Sequence, residues 1–267
     1  MLNTIQLYIE FARKSFQQRL QYRIANYSGF AVNTFFFIVR AYVFMALYEN
    51  RGTVAGYNMT EAITFTGITQ GMLMVVGLFG TLEIANAVKS GEVAVDLMKP
   101  IDYQFVMLFR QFGRSLYYFF FRGLPIFLVM VIFFSWTPPK SLSAIILFMI
   151  SMVFAVIITF CFNFMVGMSA FWLLDARGIS GIVMGAGLLL SGFILPISFF
   201  PSGLAKVCEW LPYIGQSYIP VAIYLGKYTG TTMLSMLLRQ FAWVIILMLL
   251  GKVIMHLALR KLIIQGG

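Results

Sequence analysis

The chain has 267 residues, 61% of them apolar and 10% charged, with a formal net charge of +10. A soluble domain of this length carries about a quarter charged residues, so the composition excludes a soluble fold and predicts an all-α integral membrane protein; the absence of short alternating segments excludes a β-barrel. The basic excess reads first as a topology signal and not as the mark of a nucleic-acid partner, and the length suits about six spans in a single transmembrane domain, 1–267.

In chain order, Leu2, Ile5, Ile9, Ala12, Phe16 and Leu20 recur at helical spacing, with Glu10, Arg13, Gln17 and Gln18 largely opposite. This predicts an amphipathic helix within an interfacial segment, 1–24, that sets Arg13, Lys14, Arg19 and Arg23 near anionic lipid headgroups. Charge through residue 23 and the lack of an early apolar block ending at a small-residue site argue against a cleavable signal peptide. The first span is expected at 25–47. Asn33 and Arg40, seven residues apart, share one of its faces. Arg40 lies about 13 Å from Glu49 along the helix, close to the bilayer centre. An unpaired charge there is costly, so it should face a polar cavity, Asn33 or another subunit, or else snorkel or pair with a neighbouring helix.

A polar loop at 49–60 contains Asn58-Met59-Thr60, a glycosylation sequon that carries no weight here. The second span, 62–80, leads into 81–102, TLEIANAVKSGEVAVDLMKPID, which gathers Glu83, Lys89, Glu92, Asp96 and Lys99 before Pro100. Gly91 closes one short helix, with Lys89 in its last turn, and Lys99-Pro100 closes a second. Such a charged helical element must sit in water, either as a docking element for a soluble partner or as a solvated linker. Beyond it, 106–136 is too long for one crossing. Arg110, Arg114, Tyr118 and Arg122 follow four-residue spacing and share a helix face, expected at headgroup level. The third span then runs to about Trp136 through Pro125, and 137–140 is a tight turn.

The fourth apolar run, 142–174, would measure about 50 Å as a straight helix and must tilt or project. A turn at 175–178 enters a fifth span, 179–199, holding Gly181, Gly185, Gly187 and Gly192; Gly181 and Gly185 form a small-xxx-small pair that lets another helix approach. Within 200–228, Pro201, Pro212 and Pro220 forbid one continuous span. Two short helices are expected, dipping into or lying on the far membrane face with Trp210, Tyr213 and Tyr218 at the interface. The last span occupies 233–257. Thirteen Lys and Arg fall on the side of the termini and the 81–102 element against five on the other, with Arg40 inside a span. Both termini and that element are therefore expected in the cytoplasm.

No phosphate-binding G-x-x-x-x-G-K-[ST] occurs: Gly226-Lys227 is followed by Tyr228 and Gly251-Lys252 by Val253. The sole histidine, His256, has no carboxylate or cysteine near it in sequence, and no carboxylate falls mid-span, so neither a metal centre nor an intramembrane proton relay is expected. Cys161 and Cys208 are expected not to pair.

Two stretches resemble the permease subunits of ABC type 2 exporters, in particular the small bacterial ones. EIANAVKSGEVAVDLMKPIDYQF, 83–105, is similar to the cytoplasmic coupling segment of that family, and LSGFILPISFFPSGLAKVCEWLPY, 190–213, to the outer end of its fifth span and re-entrant helices. The closing Gly-Gly after a basic helix end is similar too. The resemblance implies six transmembrane helices, an N-terminal interfacial helix and an extracytoplasmic re-entrant hairpin between the fifth and sixth spans. It also implies a cell-membrane location, a second permease (same or different chain) and two copies of a separate ATPase that carries the ATP and Mg, leaving this chain non-enzymatic and without a cofactor. Glu83, Lys89, Glu92, Asp96, Lys99 and Pro100 would then be the ATPase-coupling residues. Asn33, Arg40, Gly181, Gly185 and Gly192 would face the translocation path or the partner permease. A non-transporting scaffold or accessory subunit is the alternative.

Overall fold

The structure, a computed structural model, describes residues 4–80, 82–173 and 175–261. The expected roles of Leu2, Thr81, Leu174 and the closing Gly-Gly, and the side chain of Arg23, lie outside what it describes. The described residues form α-helices and short 3-10 and π turns, with no strand among them.

Helix α1 (Thr4–Leu20) is followed by α2 (Arg23–Tyr48), which takes up the first apolar run. Asn58 then starts α3 (Met59–Val75): its side chain accepts from the Glu61 N–H, and Glu61 reaches back to the Asn58 N–H. This capping box uses the sequon asparagine as a helix start, three residues earlier than the apolar run suggests. α3 stops at Val75, because Gly77 and Gly80 turn the chain at φ 74° and 62°. With 17 residues it is about 26 Å long, shorter than the expected second span. The two short helices of the charged stretch are α4 (Glu83–Ser90) and α5 (Glu92–Leu97), hinged at Gly91 with φ 78°.

The third apolar run differs from expectation. α6 (Tyr103–Tyr118) and α7 (Leu124–Phe133) form one rod of 31 residues through a π turn, Phe119–Gly123. Pro125 follows that turn, where the widened coil accommodates its missing N–H and bulky ring. α8 (Leu142–Met168) takes most of the fourth run. α9 (Arg177–Leu190) is a correction to the fifth span: it has 14 residues, about 21 Å, and breaks at Gly192, φ 86°, before Pro196. The proline-rich segment gives α10 (Ser202–Trp210), a 3-10 turn at Pro212–Gln216 and α11 (Tyr218–Tyr224), and α12 (Gly230–Leu259) closes the bundle. Among the described residues, four stretches are long and apolar enough to cross a bilayer: Asn26–Tyr48, Tyr103–Phe133, Leu142–Phe171 and Gly230–Leu259. The other two of the six expected spans, α3 and α9, are too short to qualify.

The core is organised around α8. One apolar cluster joins α3, α8 and α11, and a second joins α6, α8 and α12. Lipid offers little drive for apolar faces to meet, so close backbone approach and polar crossings bind such helices. At Gly113 the α6 backbone comes so close to the Ala12 carbonyl that no Cβ would fit, which seats α1 on α6. Tyr8 stacks on Phe109 and Phe16 meets Tyr117 along the same contact. Gln240 of α12 accepts from the Ser151 hydroxyl at 2.7 Å and donates to the Ser151 and Gly215 carbonyls at 2.9 and 2.8 Å, joining α12, α8 and the 3-10 turn. Cys161 and Cys208 are both buried and unbridged.

Candidate functional site

Two places gather the residues that the sequence singles out. The first is the α4–α5 element. α4 rests on α8 through Ile84, which fills the space a side chain at Gly167 would need. Glu83, in its first turn, receives Arg114 at 2.6 Å and Arg110 at 3.2 Å, both from α6. Burial alone would raise the Glu83 carboxyl, but the two guanidiniums outweigh it and hold the group below the usual carboxylate range. At the other end of α4, Lys89 lies 3.7 Å from Asp175 in the turn before α9. The Arg177 N–H donates to Asp175, and that bond, with the nearby cations, keeps its carboxyl low. The exit from α5 is pinned as well. Asp102 caps α6 by accepting from the Phe105 N–H at 3.1 Å, its own N–H donates to the Tyr8 hydroxyl at 3.2 Å, and its carboxylate pairs with Lys252 of α12.

The root of the element is thus tied to α1, α6, α8 and α12, while its tip projects. Val93 is buried beneath the tip. Val95 and Met98 are 64% and 68% exposed, among exposed Lys89, Glu92, Lys99 and Pro100. Asp96 pairs with Lys99 at 2.6 Å, so of the tip carboxylates Glu92 is the more outward. Two exposed apolar side chains in a charged rim suit a groove on another protein better than they suit water.

The second place is the end of α9. Arg40 of α2 donates to Gln70 Oε1 of α3 at 3.1 Å, to the Phe193 carbonyl at 2.8 Å and to the Ile194 carbonyl. Those carbonyls belong to the broken turn after α9, where helix geometry leaves acceptors unpaired and the dipole favours a cation. Arg40 therefore supplies one charge and several donors to the weak end of a short helix. Gly192 makes that turn possible: its φ of 86° is one that L side chains rarely adopt. Asn33 is not among Arg40's bonded partners; its amide nitrogen is buried with no partner among the described residues. Among the described residues, no other part of the fold comes within 4 Å of a Cβ built at Gly181 or Gly185. α9 is anchored near its far end, where Gly187 meets Leu78 and Gln216.

The expected basic stripe on α6 divides. Arg110 and Arg114 close on Glu83, whereas Arg122, inside the π turn, is buried, donates to Asn26 Oδ1 of α2 at 3.1 Å and lies over the Tyr118 ring. The π turn inserts an extra residue into the coil, so four-residue spacing no longer keeps Arg122 on the earlier face. Arg13 pairs with Glu10 on the exposed side of α1, and Lys14 is exposed beside it. Gln70 and Tyr8 also hold these sites, and sequence reasoning passed over them, as it did Gln240 between α12 and α8; a glutamine inside an apolar run is the signal that could have found Gln70 and Gln240.

The sequence matches the family model described as ABC-2 family transporter protein over residues 31–266. No curated protein matches the chain.

Proposed function

This chain belongs to the ABC-2 family of transporter proteins, membrane components of transport systems, and we propose that it is the permease of an ATP-driven exporter in the cell membrane. In this reading both termini are cytoplasmic, and the path forms with a second permease, of the same or a different sequence. A separate ATPase, in two copies, binds ATP and Mg and grips α4–α5. The observation that carries the reading is the geometry of that element: a tip with Val95 and Met98 exposed, on a root clamped to the bundle by Glu83, Arg110 and Arg114. A force on the tip would reach α6 directly through those ion pairs, and α8 through Ile84. The uncovered Gly181–Gly185 face of α9, together with α2, whose Ile24, Tyr42 and Val43 are each at least 60% exposed, supports a second permease on that side. Arg40 then fixes the end of α9 next to that face and need not itself touch substrate.

The test is capture of the ATPase. The double variant Val95→Glu/Met98→Glu replaces the apolar contact with charge at two exposed positions, so insertion and folding are expected to persist. A Walker-motif ATPase from the native host should co-purify with the wild type and be lost from the variant, together with transport. Equal ATPase capture and equal transport by the two proteins would refute the docking role.

A further inference from the structure

Between α3, the π turn, α7, α8 and α11 lies a cavity of about 310 Å³ with an apolar lining. Its floor is Ile68, Met72 and Val75 of α3, all buried. Its lips are Leu124 of α7 and Ile145 and Met149 of α8, each about 40% exposed, so it opens sideways between two membrane-length helices. At the end away from α4–α5 it is bounded by Trp136 and Tyr224. The cavity exists because α3 and the π turn touch backbone to backbone below it. A Cβ at Gly71 would sit 3.2 Å from the Gly123 carbonyl oxygen, and no side chain enters from either glycine.

Tyr224 is 5% exposed, its ring is met edge-on by Phe148 at 5.5 Å, and its hydroxyl is buried with no partner among the described residues. A buried hydroxyl without an acceptor costs free energy, and Tyr224 lines the one end of the cavity that lies beside the loops. We propose that this cleft holds one acyl chain of a bilayer phospholipid, with the hydrocarbon against Ile68, Met72 and Val75 and the ester carbonyl accepting from Tyr224 Oη.

The chemistry selects this occupant in three ways. The lining offers no charge or polar pair for a headgroup or an ionic solute. The mouth faces hydrocarbon, so a chain enters without crossing water. The Tyr224 end lies where the membrane-length rod through α7 gives way to the 134–141 turn, and the ends of a rod of that length fall near the ester groups of a leaflet. The volume is about twice the ~150 Å³ that holds a benzene ring and near the lower bound of ligand pockets, room for a length of chain but not for a whole lipid.

The experiment uses the full chain in nanodiscs doped with a diester phospholipid bearing a diazirine in one acyl chain, with adducts mapped by peptide mass spectrometry. Labelling is expected on the floor residues Ile68, Met72 and Val75. Met149→Trp, at the exposed lip, should lower that labelling about fivefold while the protein remains monodisperse. Unlabelled diester lipid should compete better than the diether analogue by roughly three- to tenfold, the worth of one hydrogen bond, and Tyr224→Phe should abolish the preference. Adducts confined to outward-facing α8 positions such as Ile146 and Val153, or labelling unchanged in folded Met149→Trp, would overturn the site. Equal competition by diester and diether lipids in the wild type would overturn the role given to Tyr224.

Discussion

Glu83→Gln isolates the clamp at the root of α4 with little change in shape. The Glu83 side chain is 41% exposed, whereas Arg114 is 11% and Arg110 30% exposed. The pair with Arg114, at 2.6 Å and well covered on the arginine side, lies between a screened surface bridge, worth about 0–1 kcal/mol, and a broken buried one, costing about 3–5 kcal/mol. Discounting for the solvent on Glu83, the amide should cost about 1–2 kcal/mol at neutral pH. The sign with pH is fixed. Because the folded carboxyl sits below its ordinary value, its stabilisation is complete above the unfolded pKa of about 4.3 and is lost as pH falls through the lower folded value. Unfolding in mixed detergent–SDS micelles should therefore separate wild type from Glu83→Gln at pH 7 and bring them together in acid. A double-mutant cycle with Arg114→Met should return most of the difference as coupling. A gap that persists unchanged into acid, or a coupling near zero, would refute the clamp.

Three further outcomes follow from the same geometry. Arg40→Leu removes an intramembrane charge whose insertion costs about 2.5–3.5 kcal/mol but strands the Phe193 and Ile194 carbonyls at about 1–3 kcal/mol each. Global stability should thus move little while amide exchange across 191–195 accelerates, and unchanged exchange there would count against the Arg40 lock. Gln240→Leu forfeits three buried bonds worth about 0.6 kcal/mol each in a membrane interior, so a loss of about 2 kcal/mol is expected by SDS unfolding; a loss within error of zero would show that α8 and α12 do not depend on that crossing. Gly187→Leu places a side chain where a Cβ alone would lie 2.8 Å from Leu78 Cδ1 and 3.2 Å from Gln216 Oε1. It should displace α9 and impair transport with ATPase capture intact, whereas Gly181→Leu, in open space, should be tolerated by the isolated chain.

Helical class, the amphipathic start and the paired short helices hinged at Gly91 were all legible, because each rests on a local cause: apolar run length, 3.6-residue periodicity, or a glycine at positive φ. Boundaries failed where a capping side chain or a backbone break overrode composition. α3 begins at its capping box and stops at Val75, just before Gly77, and α9 stops at Leu190, just before Gly192, although apolar residues continue past both. Composition measures only how well a segment suits lipid; it does not record where the coil ends. The division of the arginine stripe was hidden for a related reason, since the π turn arises from Pro125 and its packing and shifts every later residue around the helix. Partners distant in sequence, Glu83 with Arg114 or Arg40 with the 193–194 carbonyls, had no local signature at all.

These distant contacts connect the two candidate places physically. The 76–80 turn leaves α3 and leads towards α4; within it, Asn163 of α8 donates to the Gly77 carbonyl at 2.9 Å and Leu78 presses on Gly187 of α9. α3 also holds Gln70 against Arg40, whose other bonds go to the broken end of α9. A displacement of α4 under the proposed ATPase would therefore pull on a turn that bears on α9 at Gly187, while the Arg40 bonds from α2 and α3 hold the 193–194 turn that follows α9. α9 is a short apolar helix with few supports and, among the described residues, an uncovered glycine face. It can move at small cost, because moving it breaks a few named contacts and draws only Leu188 and Leu190 of its own length away from the apolar cluster that joins α3, α8 and α11.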